Sequence, residues 1–275
     1  MNINQREFVK AVLQEDIGRG DLFARIAKAK TIKAYIIAKS NGVFAAKEYL
    51  EAIADEFNIE FDFLVDDGDS FKKGEKLLYI KGNSVDILSL ERTIMNITLH
   101  ASSIATLTQK YVQKIAPYGV KLLDTRKTRP LLREFEKYAI RCGGGINHRM
   151  GLDDCLMLKD THLKTIKDLK AFMQEVRRKI PFTSKVEIEC ESFEDTKRAF
   201  EAGADIIMCD NMSLEEMEKV VAFRNKNYPH ILLEASGNVT LETIEAIAQT
   251  GVDAISTGST IHQAQWIDLS MRVES

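Results

Sequence analysis

Apolar positions recur along this chain in two rhythms. From Lys121 onward, short apolar runs alternate with amphipathic stretches, a pattern that predicts parallel strands joined by crossover helices. The predicted strands are Val120–Asp124, Leu156–Lys159, Lys185–Cys190, Asp205–Asp210, Ile231–Ser236 and Ala254–Gly258, spaced by roughly 20 to 35 residues, about one strand and helix each. Most of them end in a polar or charged residue, and no G-x-G-x-x-G loop follows the first, so a nearly closed α/β barrel is favoured over a doubly wound sheet. Ahead of Lys121 the pattern differs. Phe8, Val9, Val12 and Leu13 mark a helix over Gln5–Gln14, strand-like runs cover Ala34–Ala38 and Lys76–Ile80, and a mostly apolar helix covers Val85–Leu99. That mixture predicts a separate α+β domain. A further helix is expected to begin at Pro130, with Leu131, Leu132, Phe135 and Tyr138 as its apolar stripe. Gly143-Gly144-Gly145 then follows, as its cap or as a place where substrate approaches the backbone.

Composition permits this architecture and narrows its function. The 275 residues are 45% apolar and 29% charged, enough for a large core without disulfides or metals. The window most like a membrane span, Val85 to Leu107, carries Asp86, Glu91 and Arg92, so no span is expected. The N-terminus lacks a basic stretch leading into an apolar one, so no secretory signal is read and a cytoplasmic location is expected. Cys142, Cys155, Cys190 and Cys209 form no C-x-x-C pair, so reduced thiols are expected rather than a zinc site. A net charge of −3 gives no global field for nucleic acid, and any anion site must be local.

Such a local cluster exists. The first barrel strand runs into Asp124-Thr125-Arg126-Lys127-Thr128-Arg129, and cations recur after later strands at Arg149 and Lys159. The run is either a solvated surface patch or an anion site. If these groups converge, two like charges ~6 Å apart cost roughly 3 kcal/mol at an effective dielectric of 20, and a multiply charged phosphate or carboxylate would relieve that cost. Glu187 and Glu189 share one face of their strand and Asp210 closes the next. They are structural ion-pair partners or groups for a substrate. Ser236-Gly237-Asn238 and Ser256-Thr257-Gly258 end the last two strands, where barrels commonly hold a phosphate. Arg92, inside a mostly apolar helix, needs either an intrachain partner or an anion across a subunit interface.

Together these residues resemble the quinolinate phosphoribosyltransferases along the whole chain. The resemblance runs from Glu15-Asp16-Ile17-Gly18-Arg19-Gly20-Asp21 and Glu91-Arg92-Thr93 through Asp124-Thr125-Arg126-Lys127-Thr128, Asn147-His148-Arg149 and Leu158-Lys159-Asp160. It continues to Glu187-Ile188-Glu189, Asp210-Asn211 and Glu234-Ala235-Ser236-Gly237. It implies a type II phosphoribosyltransferase fold: an α+β domain over 1–105 joined by the tail from about 265 to 275, beside an incompletely closed barrel over 106–264. The implied reaction converts quinolinate and phosphoribosyl pyrophosphate to nicotinate mononucleotide, pyrophosphate and CO₂. No organic cofactor is implied, only magnesium carried on the substrate phosphates near Glu189 and Asp210. Arg126, His148, Arg149 and Lys159 are the implied quinolinate residues, and Arg92 reaches the neighbouring subunit's site in a homodimer, with a hexamer of three dimers as a larger assembly. Lys127, Glu189, Asp210, Ser236 to Asn238 and Ser256 to Gly258 are implied on the phosphoribosyl side, and Thr125 is a further implied substrate-binding residue. The catalytic set is Lys127, Lys159, Glu189 and Asp210. Ile146 and Asn238 depart from the family's more usual His and Gly. Two rivals stand beside this reading: a binding protein on the same fold, and an aldolase-type barrel with a Schiff base at Lys159.

Overall fold

The computed structural model describes residues 3–274, residue 3 by its backbone alone. The chain divides into two units. One comprises residues up to 109, 129–144 and those from 263 on; the other comprises 110–128 and 145–262.

Six short parallel strands build the second unit: Lys121–Leu123, Leu156–Leu158, Val186–Cys190, Ile206–Asp210, Leu232–Ser236 and Ala254–Ser256. From the second to the sixth, each pairs with the next in sequence, and the sixth pairs with the first. A doubly wound sheet would reverse its order at a switch point, whereas this one advances in a single sense. The first and second strands are not paired, so the barrel stays open there, and an isolated bridge from Ile146 to Leu123 stands beside the gap. All five residues of Val186–Cys190 are buried. Because strand side chains alternate, Val186, Ile188 and Cys190 share one face and the two glutamates share the other.

Side-chain caps open three of the barrel unit's helices. The Asp168 carboxylate accepts from Ala171 N, the Ser192 hydroxyl from Asp195 N and the Ser213 hydroxyl from Glu216 N, opening Leu169–Lys179, Phe193–Ala202 and Leu214–Asn227 respectively. Each satisfies a helix N–H that would otherwise lack a partner. Arg224, buried on the last of these helices, donates to Ile231 O at 3.0 Å and to Asp253 Oδ2 at 2.6 Å, and that same oxygen accepts from Leu233 N at 2.7 Å. The polar groups thereby hold a helix against two strand starts.

The first unit is α+β. Its antiparallel sheet runs in the order Leu269–Val273, Thr31–Ala38, Lys76–Asn83, Ile59–Phe63, so the tail supplies an edge strand. Ala34, Ile36 and Ala38 are buried at alternate positions, the period of a strand with one face in the core. Phe8, Tyr49, Phe135 and Tyr138 pack as an aromatic cluster, with Tyr49 at 4.8 Å from Phe135 and 5.1 Å from Tyr138.

Three expectations change. The apolar helix expected over Val85–Leu99 extends over Ser84–Ile115, because no breaker interrupts the Ser- and Thr-rich turns that follow Leu99. The helix expected from Pro130 begins at Arg133, and Leu131 is fully exposed at φ 66°, outside its apolar stripe. Pro130 and a left-handed residue make a turn rather than a helical start. That helix, Arg133–Cys142, groups with the first unit rather than with the barrel, where the boundary at 106 had placed it. The glycine run has a packing reason. A Cβ on Gly143 would lie 2.5 Å from Ala105 O and from Thr108 Cβ, so only glycine lets the helix end approach Ser84–Ile115. The four thiols are free, and burial pushes Cys155 up to about 11 and Cys142 up to about 12.

Gly143→Ala is expected to lower stability by about 1–3 kcal/mol through overpacking, read as a lower denaturant midpoint at unchanged m-value. An unchanged midpoint would contradict the packing argument.

Candidate active site

A cavity of about 440 Å³ opens at the C-terminal ends of the barrel strands, within the size range of small-molecule sites. Its walls come from the loop after the first strand, from His148 and Arg149, and from the residues that close or follow the other five strands.

The cationic loop is held from behind. Asp124 is fully buried; its carboxylate accepts from Asn147 Nδ2 at 2.6 Å and from His148 N at 2.9 Å, pinning the Asn-His-Arg segment beside the loop. The Thr125 hydroxyl accepts from Lys127 N at 3.0 Å, folding the turn locally. Gly258 supports the Lys127 stem, since a Cβ there would lie 3.2 Å from Lys127 Cβ and 3.3 Å from its Cδ. Arg149 is anchored by donating to Cys155 O at 2.9 Å and to the Met157 sulfur at 3.5 Å.

Charge compensation around the cavity is uneven. Lys159 Nζ donates to Glu189 Oε2 at 2.9 Å. Among the described residues neither Arg126 nor Lys127 has an ion-pair partner, and Arg126 Nε is buried without an acceptor. A buried donor of this kind costs roughly 1–3 kcal/mol, more when charged. The Ser256 hydroxyl is likewise buried without a partner. Gly237 and Asn238 are both left-handed, at φ 94° and 48°, and their N–H groups find no acceptor among the described residues. Bare N–H groups in such a turn form an anion-binding concavity.

Residues 21–102 match the quinolinate phosphoribosyl transferase N-terminal domain and residues 104–272 the C-terminal domain. The chain belongs to the quinolinate phosphoribosyltransferase family. It is 39% identical to a probable nicotinate-nucleotide pyrophosphorylase [carboxylating] of Methanothermobacter thermautotrophicus, over 97% of this chain and 98% of that protein. The Bacillus subtilis protein of the same description is 38% identical over 94% and 90%. Among solved structures, the nicotinate-nucleotide pyrophosphorylase of Francisella tularensis superposes with a TM-score of 0.90 at 36% identity, covering 98% of this chain and 96% of that one. That of Ehrlichia chaffeensis gives 0.91 at 30% identity over the whole of both chains.

Most of the family residues named from the sequence meet in this one cavity: Thr125, Arg126, Lys127, His148, Arg149, Lys159, Glu189, Asp210, Ser236, Gly237, Asn238 and Ser256 all line it. Thr257 and Gly258 do not. Thr257 is buried with its hydroxyl 3.4 Å from Val239 O, and Gly258 backs Lys127. Arg92 stands in the other unit, exposed on Ser84–Ile115, where it lines a depression with Asp16, Asp21 and Glu91 and has no ion-pair partner among the described residues. Lys159 is engaged as a charged donor to Glu189, which removes support for a Schiff-base nucleophile. Sequence reasoning missed Asp124 as a clamp, Glu234 as a wall residue and Asn211. Only their positions at or beside strand ends hinted at them.

His148 rests on two acids. Its Nε2 lies 3.0 Å from Glu187 Oε2 and 3.2 Å from Glu234 Oε2, and both glutamates are essentially fully buried. Nε2 sits between them rather than in line with Glu187, whose oxygens make no well-aligned hydrogen bond among the described residues. The three side chains are close enough to share a cation. However, His148 Nδ1 accepts from Arg149 N at 2.7 Å, so the ring carries its proton on Nε2, which a metal would require bare. Burial disfavours ring charge, yet the two carboxylates outweigh it and take His148 up to about 10, while burial also raises Glu187. An imidazolium beside two carboxylates and a neutral ring beside one carboxylic acid contain the same number of protons. The upward shifts of His148 and Glu187 therefore describe one shared proton.

Both shifts are upward, so the native state retains a proton that the unfolded chain releases. That stability is full below the unfolded imidazole value of ~6.5 and is lost as pH rises toward about 10. The urea midpoint is expected to fall between about pH 6.5 and 8.5 in the wild type but not in Glu187→Gln/Glu234→Gln. Equal slopes in the two proteins would contradict the shared proton.

Proposed function

We propose that this chain catalyses the family reaction, joining quinolinate to the ribose of phosphoribosyl pyrophosphate with loss of pyrophosphate and CO₂. The observation that carries the reading is the adjacent pair Arg126 and Lys127, which lines the cavity with no ion-pair partner among the described residues. A substrate pair rich in carboxylate and phosphate supplies that charge.

In this reading the quinolinate carboxylates dock on Arg126, Arg149 and Lys159, with Arg92 entering from a second subunit of a homodimer. Docking holds the ring nitrogen against the anomeric carbon, and catalysis is mainly positioning. The exposed Arg92, with no ion-pair partner among the described residues, supports the dimer. Both ring nitrogens of His148 are engaged by the protein, so His148 shapes the wall and holds the cation loop's neighbour in place. Lys127 faces the departing phosphates. Glu189 and Asp210 hold the ribose hydroxyls and stabilise the positive charge that develops there, while the turns at Ser236–Asn238 and Ser256–Gly258 receive the monophosphate. Oxygen donors at Glu189 and Asp210 fit magnesium carried on the substrate phosphates, where it would neutralise charge on the leaving group. Once the pyridine nitrogen is alkylated, its positive charge stabilises the carbanion left when the adjacent carboxylate departs as CO₂, and a proton takes its place.

Among the described residues no helix is long and apolar enough to cross a membrane. Purified protein with magnesium and phosphoribosyl pyrophosphate should form nicotinate mononucleotide and CO₂ from quinolinate and no product from nicotinate; the reverse would move the chain to a neighbouring transferase. Lys127→Ala is expected to lower kcat by about 10² to 10³, judged from the loss of one preorganised charge-stabilising group. Because Lys127 is exposed and unpaired, the melting temperature should hold. Unchanged turnover would remove Lys127 from the mechanism.

A further inference from the structure

Asn211 follows the last residue of the strand Ile206–Asp210 and is one of three non-glycine residues with a left-handed backbone among those described, at φ 53°. Its side chain faces two others. Asn211 Nδ2 donates to Asp210 Oδ2 at 2.9 Å, and Asn211 Oδ1 accepts from Asn238 Nδ2 at 3.0 Å. A carboxylate only accepts, so the contact with Asp210 fixes which end of the Asn211 amide is nitrogen, and that in turn fixes the orientation of Asn238. The amide also lies against the turn itself. A Cβ on Gly237 would stand 2.2 Å from Asn211 Oδ1 and 2.5 Å from its Cγ, so Gly237 must be glycine for space as well as for its φ of 94°. Below them, Asn211 N donates to Ser236 O at 3.0 Å. Asp210 and the turn Ser236–Asn238 line the same cavity, and the Asn211 side chain is bonded to both.

We propose that Asn211 is a positioning residue for the phosphoribosyl half of the reaction. It locks the Asp210 carboxylate to the Ser236–Asn238 turn, so that the group facing the ribose and the N–H groups facing the phosphate keep one separation. Asn238 belongs to the same device. At φ 48° a glycine would fit its backbone better, but only a side-chain amide supplies the donor that Asn211 Oδ1 accepts. The presence of Asn at this position is therefore tied to the relay. The relay concerns one substrate: nothing in it reaches Arg126, Arg149 or Lys159, which face the quinolinate carboxylates.

The inference rests on the reaction proposed above. Its test compares Asn211→Gly and Asn238→Gly, both compatible with a left-handed backbone, varying each substrate in turn at saturation of the other. Asn211→Gly should raise KM for phosphoribosyl pyrophosphate by about tenfold, the effect of one hydrogen bond to a charged group, and shift KM for quinolinate far less. Asn238→Gly should give a smaller rise of the same kind, and the double variant should match Asn211→Gly alone, because the second change removes a bond already lost. Equal rises in both KM values, an unmoved KM for phosphoribosyl pyrophosphate, or additive effects would overturn the relay while leaving the reaction intact. A wild-type protein that makes no product from this substrate pair would overturn the reaction and the relay together.

Discussion

Two adjacent cations without a counter-charge on the protein are the constraint around which the barrel mouth is organised. Arg126 and Lys127 cannot be held by their own ionic contacts, so uncharged or remote groups hold them. Asp124 clamps the Asn-His-Arg segment beside them, the Thr125 hydroxyl closes their turn and Gly258 leaves room for the lysine stem. Of the carboxylates that line the same cavity, Asp124 is engaged with Asn147, Glu189 with Lys159, Glu234 with His148 and Asp210 with Asn211. The result is a site whose favourable charge balance is completed by its substrates. Such sites catalyse by holding charges where the transition state needs them.

The negative floor has a complementary effect. The His148 ring lies between the buried carboxylates of Glu187 and Glu234, whose charge favours the ring's proton. The ring is thereby held by both nitrogens, which keeps Arg149 next to it in register with Cys155 O and Met157. A metal in this trio would have to displace that arrangement. Within one cavity, the group around His148 fixes geometry while Arg126 and Lys127 present charge to ligands.

Much of this was legible in the sequence. The βα rhythm located all six barrel strands because each is short, mostly apolar and bounded by polar residues, and the cations at strand ends pointed to an anion site. Other features depend on which residues meet across the barrel, information that spacing alone does not contain. Asp124 reads in sequence as the polar end of the first barrel strand, yet it is fully buried and accepts two bonds. Leu131 reads as part of an apolar stripe, yet the preceding proline and its left-handed backbone put it in solvent. The glycine run was ambiguous until Gly143 was found against Ala105 and Thr108. Asn211 was visible only as the neighbour of Asp210 in a family motif, because its importance lies in bonds to residues on two different strand ends.

The central claim is that the unpaired cations select a substrate by its number of negative groups. Isothermal titration calorimetry with quinolinate and with nicotinate, which lacks one carboxylate, tests it directly at low and moderate salt. The account predicts that quinolinate binds at least about tenfold more tightly, the worth of one charge-assisted contact, with an advantage that shrinks as salt rises and disappears in Arg126→Gln. Equal affinity for the two acids in the wild type, or an advantage that survives Arg126→Gln, would contradict it.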